Sequence, residues 1–217
     1  MGLGKVMNTL KYIINKYKLD QRTGSPIQIP NMGRNNLAEL FAELGFTVGV
    51  EIGTEAGLYA EVLCKSNPKA KLYCVDPWKA YPGYREHVTQ SKLDDIYISA
   101  KTRLAPFNCE FIRTTSMEAL SDFADQSLDF VYIDGNHEYS YISQDINNWI
   151  KKIKLGGIIS GHDYVHAGRS RYKCDVVYAV NEYTQTNQIN PWFLIGTKAM
   201  VPGEIRDKSR SWMWVKR

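Results

Sequence analysis

Apolar positions along the chain alternate between two rhythms. Short β-branched runs, TVGVEI (47–52), KLYCVD (71–76), CEFIRT (109–114), SLDFVYID (127–134) and GGIISGHD (156–163), predict five strands. Segments with apolar residues at helical spacing separate or follow them, over 57–66, 89–104, 117–123, 139–153 and 176–185. In 89–104, for example, Leu93, Ile96, Tyr97, Ala100 and Leu104 share one face. A further helix starts at Asn35 or Asn36, good capping residues, and stops at Gly45. Such alternation predicts a mainly parallel sheet with helices on both faces. The tail breaks the rhythm: NPWFLIGT (190–197) and SWMWVKR (211–217) read as an antiparallel hairpin turning near Pro202 and Gly203. The expectation is an α/β, doubly wound, mainly parallel seven-stranded sheet with a C-terminal antiparallel hairpin and an N-terminal helical extension.

In that extension, Val6, Leu10, Ile13, Ile14 and Tyr17 lie at helical spacing, so 5–18 predicts an amphipathic helix. Its expected use is packing on the main domain, with dimerisation or a lid as the alternative; a homo-oligomer is therefore an open possibility. RTGSPIQIPNMG (22–33), rich in turn residues, reads as a linker or a loop facing the active site. The chain thus divides into an extension over 1–34 and one domain over 35–217.

Composition narrows the class. With 44% hydrophobic and 23% charged residues, the 217-residue chain has the balance of a globular protein rather than a disordered one. The net charge of +4 is too small to predict nucleic-acid binding. Cys64, Cys74, Cys109 and Cys174 show no paired spacing and read as free thiols of a reducing compartment. No apolar run approaches a membrane span. The expected setting is cytoplasmic, without membrane or nucleic-acid partners.

Chemistry gathers where strands end. Glu51 and Gly53 follow the first strand of this series, Asp76 the second, Asp134 the fourth, and His162 with Asp163 the fifth. In open parallel sheets, ligands bind beyond the carboxyl ends of strands, near the switch in strand order. Gly53 and Gly57 bracket the first turn, in EIGTEAG rather than the G-x-G-x-x-G of a dinucleotide site. Glu55 stands where the middle glycine belongs, and an acid there would repel a diphosphate. Asp76, 25 positions after Glu51, is placed to accept hydrogen bonds from both hydroxyls of a ribose. A ribose, a cation and no phosphate point to S-adenosylmethionine. The reading requires Asp76 and Gly53 to face one crevice.

VGVEIGTEAG, LYCVDPW, DFVYIDGNHEYSYISQDI, GGIISGHDY and VVYAVNEY, in this order, resemble the class I S-adenosylmethionine-dependent methyltransferases, whose sheet is Rossmann-like. Within that superfamily the chain is similar to small-molecule O-methyltransferases of the macrocin type, over about two thirds of its length. The resemblance implies a methyl transfer to the hydroxyl of a small molecule, with a sugar or glycan precursor as the expected acceptor. It implies that Glu51, Gly53 and Thr54 line the methionine end of the cofactor, with Gly57 closing the helix start. Asp76 would hold the ribose, with Pro77 and Trp78 beside it; Trp78 either stacks on adenine or seals the cleft. Ser116 and Met117 would touch the base. Asp134 would lie near the sulfonium, with His137 as general base and His162 as the alternative base. Asp134, His162 and Asp163 stand where some relatives hold Mg2+, although magnesium prefers oxygen and one of the three is histidine. Arg169, Arg171 and Lys173 lie in a loop that would face the acceptor.

Two other readings share the sheet. An NAD(P)-dependent oxidoreductase is disfavoured by Glu55 and by the terminal hairpin. A nucleic-acid methyltransferase is disfavoured by DGNHEY, which stands after the fourth strand in place of an Asn-Pro-Pro-Tyr-like motif.

Overall fold

The computed structural model describes residues 8–82, 84–166, 174–197, 200, 202–207 and 209–217. Eight strands form one sheet: β1 (Ile27–Ile29), β2 (Val48–Ile52), β3 (Lys71–Val75), β4 (Cys109–Ile112), β5 (Leu128–Ile133), β6 (Ile153–Gly161), β7 (Phe193–Ile195) and β8 (Ser211–Val215). Their order is β1-β7-β8-β6-β5-β2-β3-β4. The helices are α1 (Thr9–Tyr17), α2 (Arg34–Glu43), α3 (Leu58–Ser66), α4 (Gln90–Leu104), α5 (Ser116–Ala119), α6 (Tyr139–Lys152) and α7 (Val176–Thr186).

The chain proceeds outward from β2 through β3 to β4, then returns to β5 on the other side of β2. The strand order therefore reverses between β2 and β5, and a crevice opens beyond their carboxyl ends. Strands β2 to β6 pair in parallel, whereas β8 runs antiparallel to both β6 and β7.

Alternation along β5 shows why these strands are nearly continuously apolar. Phe130 and Tyr132 pack with Ile13, Leu37, Phe41 and Leu63 on one face. Val131 and Ile133 pack with Ile142, Ile146, Trp149 and Val180 on the other. A strand buried on both sides has little room for polar side chains, and the one acid of β5, Asp129, sits near its start in an ion pair with Lys154.

The sheet has one strand more than the expected seven. Ile27–Ile29, within the segment read as a linker, pairs in parallel with β7 at the sheet's edge. Only three residues long and flanked by Pro26 and Pro30, it offers no readable period, and an edge is where prolines are tolerated beside a strand. The described part of the extension packs on the main body, with Ile13 fully buried on α1. No described helix is long and apolar enough to cross a membrane.

Candidate active site

The turn after β2 is built on backbone that only special residues adopt readily. Gly53, Glu55 and Gly57 all have positive φ, at +86°, +48° and +73°. A Cβ on Gly53 would lie 2.1 Å from the carbonyl oxygen of Asp134, so the tips of β2 and β5 meet backbone to backbone. The Asp134 N–H donates to the Ile52 carbonyl at 2.8 Å, locking that contact. Gly57 instead faces Leu104 and Ala100 of α4, and serves the helix start rather than the crevice.

A cavity of about 340 Å3 opens at this switch point. Gly53, Asp76, Pro77, Ser116 and Met117, all singled out from sequence, line it together. Asp76 Oδ2 accepts from the Glu55 N–H at 3.0 Å, and Oδ1 accepts from the Trp78 N–H at 2.7 Å. Each oxygen keeps a further lone pair, so the carboxylate can still accept from two vicinal hydroxyls. Burial pushes the Asp76 carboxyl up, and the two backbone donors oppose that shift.

Other expected positions lie behind the wall. Glu51 and Thr54 are buried, and among the described residues Glu51 Oε2 and Thr54 Oγ1 have no partner in hydrogen-bonding geometry. Burial drives the Glu51 carboxyl well above the usual range, with nearby Asp134 and Asp76 adding to it. Trp78 is 1% exposed, donates Nε1–H to the Glu55 carbonyl at 2.8 Å, and packs against Tyr97 and Phe111. Glu55 does not point into the cavity: its side chain is half-exposed and pairs with Arg85 at 2.6 Å. The argument that Glu55 repels a diphosphate directly is therefore corrected. The described lining instead holds two carboxylates, Asp76 and Asp145, and no lysine or arginine.

Sequence reasoning missed much of the lining. Tyr81 and Tyr84, from the stretch between β3 and α4, stack at 5.0 Å in the cavity lining, and Tyr81 receives a hydrogen bond from Asn136 Nδ2. Tyr141, Gln144 and Asp145 come from α6. Asp145 was detectable: Ile142, Asp145, Ile146 and Trp149 form one i, i+3, i+4, i+7 stripe, and all are buried.

Beyond Asp134 lies a second constellation. His137 Nε2 is 3.4 Å from Asp134 Oδ1 and 3.2 Å from Asp163 Oδ2. His162 Nδ1 is 3.4 Å from Asp163 Oδ2 and 3.9 Å from Asp134 Oδ2. Arg34, at the start of α2, approaches Asp134 at 3.8 Å. Burial alone would lower both imidazoles, but the two carboxylates outweigh it and raise them. Asp163 moves oppositely: burial would raise it, and the imidazoles bring it below the usual range. One ligand atom from each of Asp134, His162 and Asp163 falls within 4.8 Å of the others. That spacing fits a divalent ion, and the imidazole nitrogen suits a transition ion better than magnesium. Arg169, Arg171 and Lys173 lie outside the described residues.

Residues 50–164 match the family described as Methyltransferase domain, just over half of the 217-residue chain. The chain belongs to this methyltransferase-domain family. Among curated relatives, the uncharacterised protein R132 of Acanthamoeba polyphaga mimivirus is 26% identical over 151 residues, 68% of this chain and 63% of that protein. The uncharacterised protein y4gI of Sinorhizobium fredii is 28% identical over 120 residues, 52% of this chain. The match spans only 13% of y4gI, so this chain covers less than two thirds of either relative. In overall fold the methyltransferase domain is similar to the O-methyltransferase TomG from Streptomyces achromogenes, solved in complex with SAM, with a TM-score of 0.59. The two share 15% identity over 99% of this chain and 92% of TomG, a likeness of fold.

Proposed function

We propose that the chain is an S-adenosylmethionine-dependent methyltransferase acting on a hydroxyl of a small molecule, with a sugar or glycan precursor as acceptor. The observation that carries the reading is one crevice with two chemistries. Gly53 and Asp76 face an apolar cavity without a cation in its described lining, and Asp134 leads from it to a carboxylate–imidazole cluster. A diphosphate would find no basic partner in that lining, which disfavours NAD(P). A sulfonium nucleoside would find carboxylates for its hydroxyls and its positive charge, and the unpartnered Glu51 Oε2 and Thr54 Oγ1 add polarity beside Gly53.

S-adenosylmethionine supplies a methyl group already activated by positive sulfur. The protein's share is alignment and proton removal. Asp76 accepts from the ribose hydroxyls and fixes the nucleoside. His137, in its neutral form, takes the acceptor's hydroxyl proton, oriented by Asp134 and Asp163; His162 is the alternative base. Asp134, His162 and Asp163 would hold a divalent ion, magnesium or a softer metal, which would acidify the acceptor hydroxyl.

Calorimetric titration tests the cofactor: S-adenosylmethionine binds and NAD does not. Absence of S-adenosylmethionine binding, or tight NAD binding, overturns the reading. With labelled methyl donor, label enters sugar hydroxyls, and transfer confined to phenols removes the sugar assignment. Turnover indifferent to a chelator removes the metal.

A further inference from the structure

We propose that Cys109 and Cys64 form a peroxide-responsive pair, Cys109 being the thiol that is oxidised and Cys64 the thiol that closes a reversible disulfide with it.

The four cysteines have no paired spacing in sequence, yet the fold gathers three of them and leaves one apart. Cys64, in the last turn of α3, brings its Sγ to 3.3 Å from Cys109 Sγ at the start of β4, 45 positions away. Leu72 of β3 lies opposite Cys109, so Cys74, two residues on, emerges on the same face and also hydrogen-bonds Cys109. Cys174 is elsewhere, with its Sγ donating to the carbonyls of Asp163 and Val165 at 3.5 Å and 3.9 Å.

Access and activation both single out Cys109. β4 is the outermost strand of the sheet and Cys109 is partly exposed, whereas Cys64 and Cys74 are buried. Hydrogen bonds from Cys64 and Cys74 bring the Cys109 thiol below its ordinary range, and burial opposes them without cancelling them. Cys174 is also partly exposed, but its thiol is moved upward, chiefly by burial. The thiolate is the nucleophilic form, so exposure alone would not rank these two cysteines, whereas their surroundings do. A disulfide holds its sulfurs at about 2.0 Å, which leaves the pair about 1 Å to close.

With hydrogen peroxide as oxidant, the Cys109 sulfur attacks one oxygen. An S–O bond forms, the O–O bond breaks, and the released hydroxide leaves as water with the thiol's proton. The Cys64 sulfur then attacks the sulfenic sulfur of Cys109. An S–S bond forms, the S–O bond breaks, and the second hydroxide leaves as water with the Cys64 proton. Two thiols are oxidised and one peroxide is reduced to water. Capture by Cys64 keeps Cys109 from the irreversible sulfinic state, and a thiol reductant restores both.

The alternative is that the three thiols only fill space between α3 and the sheet. The full chain, reduced and freed of reductant, is titrated with hydrogen peroxide, alkylated, and mapped by peptide mass spectrometry without reduction. Cys109 should be consumed about ten-fold or more faster than Cys174, giving a Cys64–Cys109 linked peptide that dithiothreitol removes. Cys64→Ser keeps a hydroxyl donor beside Cys109 but no second sulfur. In that variant Cys109 should be trapped by dimedone as the sulfenic acid and then pass to a sulfinic acid that dithiothreitol does not reverse. Equal consumption of Cys109 and Cys174 overturns the inference, as does a wild-type product that is Cys74-linked, joined between two chains, or a sulfinic acid without disulfide. So does the same disulfide forming as fast in urea-unfolded chain, where the fold no longer places the sulfurs together. If Cys64→Ser does not fold, the wild-type product and its ranking against Cys174 decide.

Discussion

Two groups of acids share the carboxyl edge of one sheet, and they differ in company. Glu51, Asp76 and Asp145 form no ion pair among the described residues, and burial pushes all three carboxyls upward, against the more distant Arg34 for Glu51 and Arg85 for Asp76. Asp163 faces two imidazoles and is held low, with Asp134 beside the same imidazoles and Arg34. The first group keeps acceptor capacity in reserve, at Glu51 Oε2 and at the remaining lone pairs of Asp76 and Asp145. The second already has its partners and forms a carboxylate–imidazole cluster within the chain itself. Burial near one crevice thus yields a receptive surface and a self-contained one, according to whether an imidazole stands against the carboxylate.

The comparison breaks most visibly at Asp145. Its folded pKa of about 7 exceeds an unfolded value near about 3.9, so its contribution to stability is full below the unfolded value and is lost as pH rises through 7. Tyr81, which shares the cavity wall with it, stays neutral over that range, its own pKa being raised by burial. Ligand-free Asp145→Asn should therefore gain on wild type with rising pH, by about 4 kcal/mol at most above neutrality. Urea unfolding of both proteins at acid and mildly alkaline pH measures this, and a gap that stays constant contradicts the unpaired state of Asp145.

The next effect concerns ligand affinity. Asp76→Ala should weaken S-adenosylhomocysteine about ten-fold or more, whereas His137→Gln, beyond the cavity wall, should change it less than about two-fold. Equal losses in calorimetry would show that the two groups of acids are not separate. The smallest effect is expected at Glu55, whose side chain leaves the cavity for Arg85. Glu55→Gln should change the affinity less than about two-fold, in keeping with a partly exposed ion pair.

Legibility in the sequence followed burial. β2, β3 and β5 were readable because both faces of each are covered, which forces runs such as LDFVYI. The strand-tip residues Gly53 and Asp76 were readable because parallel strands deliver their ends to one crevice. Ile27–Ile29 was not, since three residues beside prolines carry no period. Tyr81 and Tyr84 were not, since a loop aromatic gives no sign of where it folds back. Asp145 was legible in principle, as an acid on an apolar stripe, but the crevice that gives that anomaly its use is formed by residues distant in sequence. Glu55 shows the opposite error: its position in the turn was right, but its side chain found Arg85, 30 residues on, instead of the crevice.

The contact of Gly53 with the Asp134 carbonyl sets a spacing that no rotamer can adjust. If methyl donor and proton acceptor occupy the two sides of that seam, their separation is set by main-chain packing and the inter-strand hydrogen bond rather than by side chains. Redesign toward bulkier or smaller acceptors would then have to proceed through the surrounding loops, because any side chain added at the seam pushes the two halves of the reaction apart.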